Sequence, residues 1–140
     1  MLKHFLVPEE DQVLVSEKTA RAGTQAIFEK MGLPSDEAKS CADVLITSDL
    51  RGCESHGISN MLRAYVESYS NGSYNARPNV KTVRESSVTA TWDGDHGLGL
   101  HLGPSAMNLA IEKAGEHGMG AVAVKNTAHF GMLAYYVLPA

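Results

Sequence analysis

The spacing of apolar residues changes once along this chain, and that change limits the folds that the chain can adopt. From Ala20 to Tyr69 apolar residues recur at intervals of three and four, which is the period of an amphipathic helix. From Val88 to Trp92 they alternate with threonines, which is the period of a strand. Both periods within 140 residues, a length typical of one domain, predict a mixed α/β fold.

Turn-forming residues divide the first half of the chain into three predicted helices. Gly32 and Gly72 are placed to end the first and the third, because glycine adopts the left-handed conformation of a helix C-cap. Ser35 is placed to cap the second, because its hydroxyl can accept a bond from an unpaired helical N–H group. The helices are expected over residues 16–31, 35–49 and 58–69.

The second half is expected to hold a hairpin, two helices and a buried strand. Gly103 and Pro104 open the first of these helices, because proline is tolerated in the first helical turn. Residues 121–124 are apolar throughout, which is typical of a strand that is buried on both faces. The hairpin strands are expected at 80–84 and 88–92, and the last helix at 132–140.

Composition and charge exclude several classes of protein. Hydrophobic residues make up 44% and the net charge is −4, with no dense basic cluster, so nucleic-acid binding is not expected. The sequence contains no run of eighteen apolar residues, the length that predicts a membrane span, and no recognisable secretory signal. The cytoplasm is therefore the expected location. Cys41 and Cys53 lack the spacing of a metal clip and are expected to be two reduced thiols.

Residues 49–57, between the second and third predicted helices, bring several reactive side chains into one loop. His56 can act as a general acid, because an imidazole exchanges a proton near neutral pH. Ser55 can bond a substrate or orient that imidazole. The alternative is a solvated turn in which Ser55 and His56 only satisfy backbone groups.

Residues 126–131 follow the carboxyl end of the predicted buried strand. Proteins of the α/β class bind ligands at this end of their strands. Asn126 offers directional hydrogen bonds, His129 a second titratable group and Phe130 an apolar wall. Gly131 allows a close approach of the backbone to a ligand. The alternative is a turn that leads into the last predicted helix.

The glycines of residues 94–99 have the order G-x-x-G-x-G, and further residues separate them from the helix expected at Gly103. They therefore predict a turn and not a phosphate-binding loop. His96 and His101 have no cysteine or carboxylate at ligand spacing, so no metal site is expected. A weaker alternative is a metal-dependent hydrolase that uses His56, His96, His101 and His129.

Taken together and in order, D-x-R-G-x-x-S-H-G at 49–57, the tyrosine-containing helix, the 94–99 turn and N-x-x-H-F-G at 126–131 resemble the malate/L-lactate dehydrogenase family. That family also includes sulfolactate, ureidoglycolate and diketogulonate dehydrogenases and a cyclic-imine reductase. The resemblance runs over almost the whole chain. It implies a non-Rossmann α/β fold with N-terminal helices at 16–71, the start of a cofactor-binding segment at 80–140, and a homodimer.

The resemblance also implies an oxidoreductase that uses NAD or NADP. Hydride would pass between the nicotinamide and C2 of a small 2-oxo or 2-hydroxy acid such as malate or lactate. His56 matches the family's proton donor, with Ser55 as its partner and His129 as a further catalytic group. The loop that meets the cofactor corresponds to Asn126, His129, Phe130 and Gly131. The sequence distinguishes neither NAD from NADP nor one 2-hydroxy acid, or an imine, from another.

Two departures from the family pattern bear on this interpretation. Asn60 stands where family members carry an arginine for the substrate carboxylate, and Arg63 is the expected replacement. The candidate substrate-binding residues are Asn60, Arg63 and Tyr65. Tyr65 and Tyr69 are otherwise typical of a core or an interface. Family members are also much longer, so the chain is expected to be a truncated N-terminal part that is inactive alone. The alternative is a non-catalytic remnant that serves dimerisation or partner binding.

Overall fold

The computed structural model describes residues 6–140, and the chain divides into two compact units, Met1–Gly72 and Ser73–Ala140. Within the described residues, the helices of the first unit are followed by a second unit with a three-stranded mixed sheet and two further helices. The α/β fold class predicted from the apolar periods is confirmed. No helix in residues 6–140 is long and apolar enough to cross a membrane.

The first unit contains the three predicted helices. Ser16 caps the first of them, because its Oγ accepts a hydrogen bond from the Thr19 N–H at 3.2 Å. Gly32 follows with φ of 103°, which confirms the predicted left-handed end. The helices are α1 at Glu17–Lys30, α2 at Ser35–Leu50 and α3 at Arg63–Ser70.

The starts of α2 and α3 differ from the prediction. Ser35 makes no capping bond: Pro34 occupies the N-cap position, and the Ser35 Oγ donates to the Glu29 carboxylate at 2.6 Å. Ser35 is the first residue inside the helix and not the residue before it, so its hydroxyl is not at the position from which a side chain caps the helix. Residues Ile58–Leu62 form a π-helical turn before α3. The sequence could not predict this difference, because over one turn an apolar spacing of three and four does not distinguish an α-helix from a π-helix.

The core of the first unit joins α1 to the helices that follow. The ring of Phe28 on α1 lies 6.4 Å from that of Tyr65 and 6.5 Å from that of Tyr69, both on α3. Cys41 of α2 is completely buried, and burial raises the pKa of its thiol. Neither Cys41 nor Cys53 forms a disulfide. Burying each large side chain contributes about 1.5 to 3 kcal/mol, so these contacts hold the loop between α2 and α3 in place.

The second unit contains the strands β1 at Lys81–Glu85, β2 at Thr89–Asp93 and β3 at Ala121–Lys125 and the helices α4 at Gly99–His117 and α5 at Ala134–Val137. The strand order in the sheet is β1-β2-β3. The predicted hairpin is confirmed as an antiparallel pair, with a register shift between Thr82 and Arg84. β3 pairs with β2 in parallel, and the helix α4 connects the two and contacts β3.

Three predictions for the second unit are wrong. β3 is not buried on both faces: Ala121, Ala123 and Lys125 are exposed and alternate with half-buried residues, because α4 packs on one face of the strand. α4 begins at Gly99 and carries Pro104 inside it, since burial of leucines before the proline outweighs one lost backbone bond. The last helix was expected at 132–140 and is the single turn α5, Ala134–Val137. The buried leucines are Leu98, Leu100 and Leu102.

Candidate active site

The loop after α2 presents His56 on a short 3-10 turn, Glu54–His56. Gly52 adopts φ of 67°, which reverses the chain at the end of α2. The His56 N–H donates to the Cys53 carbonyl at 2.9 Å, and the Gly57 N–H donates to the Glu54 carbonyl at 3.1 Å. The loop is therefore an ordered turn that holds the backbone on both sides of His56.

Ser55 and His56 are in contact within this turn. The Ser55 Oγ and the His56 Nδ1 lie 2.9 Å apart, and the Cys53 Sγ lies 3.8 Å from each of them. Both side chains are half-buried. When Nδ1–H donates to the Ser55 hydroxyl, Nε2 is the nitrogen that exchanges a proton with another molecule. This is the geometry that a general acid oriented by a neighbouring hydroxyl requires.

The three residues predicted to bind substrate differ in their environments. The Asn60 Nδ2 donates to the Glu54 carbonyl at 2.9 Å, so this amide holds the turn that carries His56. Tyr65 is only 1% exposed and belongs to the core. Arg63 is exposed at the first residue of α3.

The second predicted loop, 126–131, follows the carboxyl end of β3, where β2 ends in register at Asp93. Asn126 adopts φ of 48°, and its Nδ2 donates to both Asp93 oxygens, at 3.0 and 3.2 Å. The Lys125 Nζ lies 3.2 Å from the same carboxylate. Asp93 thus organises this loop. It is not among the residues predicted from the sequence, although its place at the end of the strand before the glycines is a usable signal.

The glycines of residues 94–99 pack against this loop. The Thr127 Oγ1 and the Ala128 N–H both donate to the Gly97 carbonyl, at 3.1 and 3.0 Å. A Cβ on Gly99 would lie 2.8 Å from the His129 carbonyl, so only glycine fits. The predicted turn is confirmed, but the predicted gap before the helix is wrong, since α4 begins at Gly99. These glycines serve close packing within the chain.

His129 is exposed near the tip of the loop. The Gly131 N–H donates to the His129 Nδ1 at 3.3 Å, which places the proton of the neutral imidazole on Nε2. The Phe130 ring packs edge-on against Tyr136 at 5.9 Å, and the Tyr136 hydroxyl donates to the Phe130 carbonyl. The loop therefore presents an imidazole N–H donor on a rigid base.

Histidine, cysteine and acidic side chains form no cluster of three or more that could hold a metal ion anywhere in residues 6–140.

The chain is similar to known proteins along nearly its whole length. The family model described as malate/L-lactate dehydrogenase matches residues 15–140. The chain belongs to the malate/L-lactate dehydrogenase family. The family predicted from the two motifs is thereby confirmed, and both motifs lie within the matched residues.

Relatives in this family have several substrates in their names. A malate dehydrogenase of Pyrococcus abyssi is 46% identical over 114 residues, which cover 81% of this chain and 31% of the relative. An L-sulfolactate dehydrogenase of Methanocaldococcus jannaschii is 40% identical over 132 residues, covering 94% of this chain and 36% of the relative. The chain spans about a third of the length of these curated relatives.

The fold agrees with solved structures of the family. The malate dehydrogenase of Pyrococcus horikoshii superposes with a TM-score of 0.90 at 38% identity, covering 96% of this chain and 38% of that structure. The sulfolactate dehydrogenase of Methanocaldococcus jannaschii superposes with a TM-score of 0.86 at 40% identity, covering 89% of this chain and 36% of that structure. The expected family fold is therefore confirmed for this part of the protein.

Acidification is expected to loosen the 126–131 loop before the sheet itself unfolds. Bonds to the Asp93 carboxylate from the Asp95 N–H, Lys125 and Asn126 lower the pKa of this group. A lowered carboxyl pKa stabilises the fold above the ordinary aspartate range, and that stabilisation is lost as the pH falls through the lowered value. The Asn126 side-chain amide signals in NMR spectra should shift over this low-pH interval, and Asp93→Asn should remove the transition. An unchanged transition in that variant would contradict the assignment to Asp93.

Proposed function

We propose that this protein is a nicotinamide-dependent 2-hydroxy acid dehydrogenase in which His56 is the proton donor and acceptor. The observation that carries the proposal is the 2.9 Å contact between the Ser55 Oγ and the His56 Nδ1, inside the motif by which the chain resembles the family. Membership of a dehydrogenase family supports oxidoreductase chemistry on a small molecule. The contact supplies what that chemistry needs from the protein, an imidazole with a defined orientation.

In the proposed reduction, His56 donates its Nε2 proton to the C2 oxygen of a 2-oxo acid as that oxygen gains negative charge. The Nδ1–H bond to Ser55 holds the ring during the transfer and stabilises the cationic form before it. In the reverse direction, neutral His56 accepts the hydroxyl proton of a 2-hydroxy acid. One imidazole thus serves both directions, as the proton donor in reduction and the proton acceptor in oxidation.

NAD or NADP would supply or accept the hydride. We propose that His129, Phe130 and Gly131 contact its nicotinamide, with His129 also acting on the reacting groups as a hydrogen-bond donor. The fit rests on an exposed imidazole whose donor is Nε2–H, beside an aromatic side chain on a well-held loop. The motif predicts that Asn126 binds the cofactor directly. Its amide is bonded to Asp93, so we propose that Asn126 acts by fixing the loop.

For the substrate carboxylate we propose Arg63. Its guanidinium is exposed and can bind a carboxylate through two parallel hydrogen bonds. Asn60 is already bonded to the Glu54 carbonyl and Tyr65 is buried, so both are proposed to support the site through the turn and the core. Substrates in the names of relatives, malate and sulfolactate, are small carboxylic acids and are the first to test here.

We also propose that the protein is a homodimer in the cytoplasm, as the resemblance and the sequence imply. Val13 and Leu14 are 82% and 97% exposed, and apolar side chains this open to solvent favour an association between chains. Light scattering at several concentrations measures the mass in solution. A monomer at all concentrations would contradict the dimer.

The test of the proposed function begins with the intact mass of the protein as its own cell makes it. That protein is then assayed for reduction of pyruvate, oxaloacetate and sulfopyruvate with NADH and with NADPH. Oxidation of either cofactor that depends on a 2-oxo acid supports the dehydrogenase. Neither cofactor being oxidised, with no change in nicotinamide fluorescence on mixing and a stable dimer, would favour the non-catalytic remnant instead.

A further inference from the structure

Asp49, near the end of α2, makes a capping contact for a helix to which it does not belong. Its Oδ2 accepts a hydrogen bond from the Ile58 N–H at 2.9 Å, at the first residue of the π-helical turn. The residue at the N-cap position of that turn is Gly57, which has no side chain to make such a bond. Asp49 therefore satisfies a backbone donor that would otherwise lack a protein partner at that helix start.

The carboxylate of Asp49 also occupies the space beside Gly57. A Cβ on Gly57 would lie 1.6 Å from the Asp49 Oδ1 and 2.3 Å from its Cγ. Gly57 has φ of −90° and ψ of −174°, a conformation that any residue adopts. Its lack of a side chain is therefore required by the position of Asp49 and not by the backbone.

This carboxylate is held at an energetic cost. Burial raises the pKa of Asp49, the nearby Glu54 raises it further, and only the bond from Ile58 lowers it. Because this environment disfavours the charged form of Asp49, we attribute its effect on the loop to its hydrogen bond and to the space that it fills. Both contributions act on the two residues that directly follow His56.

We propose that Asp49 is a positioning residue for His56, because its contacts with Gly57 and Ile58 hold the imidazole at its 2.9 Å contact with Ser55. The inference rests on the proposed function of His56 as proton donor. The Glu54 carbonyl accepts hydrogen bonds from the Gly57 N–H and the Asn60 side chain, and these two bonds restrain the residues before the imidazole. Asp49 restrains the residues after it. Without Asp49, Gly57 gains space and Ile58 loses its acceptor, so the restraint on the two residues after the imidazole is lost.

Asp49→Ala and Asp49→Asn test this role in the purified full-length protein. Asn keeps an oxygen that can accept from Ile58, whereas Ala keeps none. We expect Asp49→Ala to lower kcat by about 10- to 100-fold, with KM for the nicotinamide cofactor unchanged, because a displacement of about 1 Å costs that much. Asp49→Asn should recover most of the loss. Asp43→Ala, which removes a carboxylate of the same helix that pairs with Arg21, is the matched control.

Nitrogen NMR of the His56 ring gives a readout that does not depend on turnover. In the wild type and in Asp43→Ala, the ring should show one tautomer, fixed by Ser55. In Asp49→Ala it should show a mixture of tautomers, and in Asp49→Asn largely the wild-type signal. Wild-type ring signals in Asp49→Ala would overturn the proposal, as would a failure of Asn to improve on Ala in either measurement.

If Asp49→Ala unfolds, the test uses Asp49→Asn and the milder Asp49→Ser, and both are expected to have a smaller effect than Ala. Full turnover in His56→Ala would instead refute the proposed function, while the ring signals would still report on Asp49.

Discussion

Replacement of His56 by alanine is expected to reduce kcat for 2-oxo acid reduction by about 10²- to 10⁴-fold. The substrate oxygen then has to take its proton from water, whereas the imidazole that Ser55 holds at 2.9 Å supplies one at a defined position. The affinity for NADH or NADPH should change little, because the side chain acts on the reacting oxygen. An interaction made only in the transition state lowers kcat and kcat/KM together.

Steady-state kinetics of the full-length protein, with the cofactor Kd from nicotinamide fluorescence, provide the measurement. His117→Ala is the matched control, since it removes an exposed imidazole at the end of α4 and should leave kcat unchanged. Ser55→Ala should lower kcat less than His56→Ala, because the proton donor remains and only its orientation is lost. Turnover by His56→Ala within twofold of the wild type would show that another group donates the proton.

The second large effect is expected for stability, from Gly120→Ala. A Cβ on Gly120 would lie 2.0 Å from the Ala110 carbonyl oxygen and 2.9 Å from the Ala114 nitrogen, which are both backbone atoms of α4. Because a helix backbone cannot move aside as a side chain can, β3 and α4 must separate. We expect the free energy of unfolding to fall by about 3 kcal/mol, at the upper end of the usual cost of overpacking.

Urea denaturation followed by circular dichroism measures this loss, and Gly115→Ala is the matched control. Gly115 lies inside α4, and a Cβ on it would have no neighbouring atom within 4 Å, so alanine there meets open space. That variant should gain about 0.5 to 1 kcal/mol, because alanine loses less backbone entropy in a helix than glycine. Equal effects of the two substitutions would contradict the packing of β3 against α4.

The residues of the two motifs could be found from the sequence because each motif is continuous along the chain. Ser55 and His56 are neighbours, so their contact requires only the short turn that the sequence predicts. His129 and Phe130 likewise follow directly from the end of a strand. Their roles in catalysis and in cofactor binding stay predictions until the variants are measured.

Supporting contacts at both loops could not be found in the same way. Asp49 and its partner Ile58 are separated in the sequence by a loop, and Asp93 and its partner Asn126 are separated by the whole of α4. The carboxylates are visible in the sequence, but their partners depend on how α2 meets the turn and on the register of two parallel strands. Ser35 shows the opposite error, because a residue well suited to capping lies one position inside α2, where its hydroxyl donates to a carboxylate of α1.

The order of helices and strands, the glycine end of α1 at Gly32 and the family could all be inferred from the amino-acid sequence alone. These depend on residues within one or two turns of each other, and apolar spacing and continuous motifs record such local relations directly. The burial of β3, the early start of α4 and the partners of Asp49 and Asp93 could be seen only in the folded chain. Those depend on which surfaces compete for the same space and the same hydrogen bonds, and that competition takes place between residues distant in the chain.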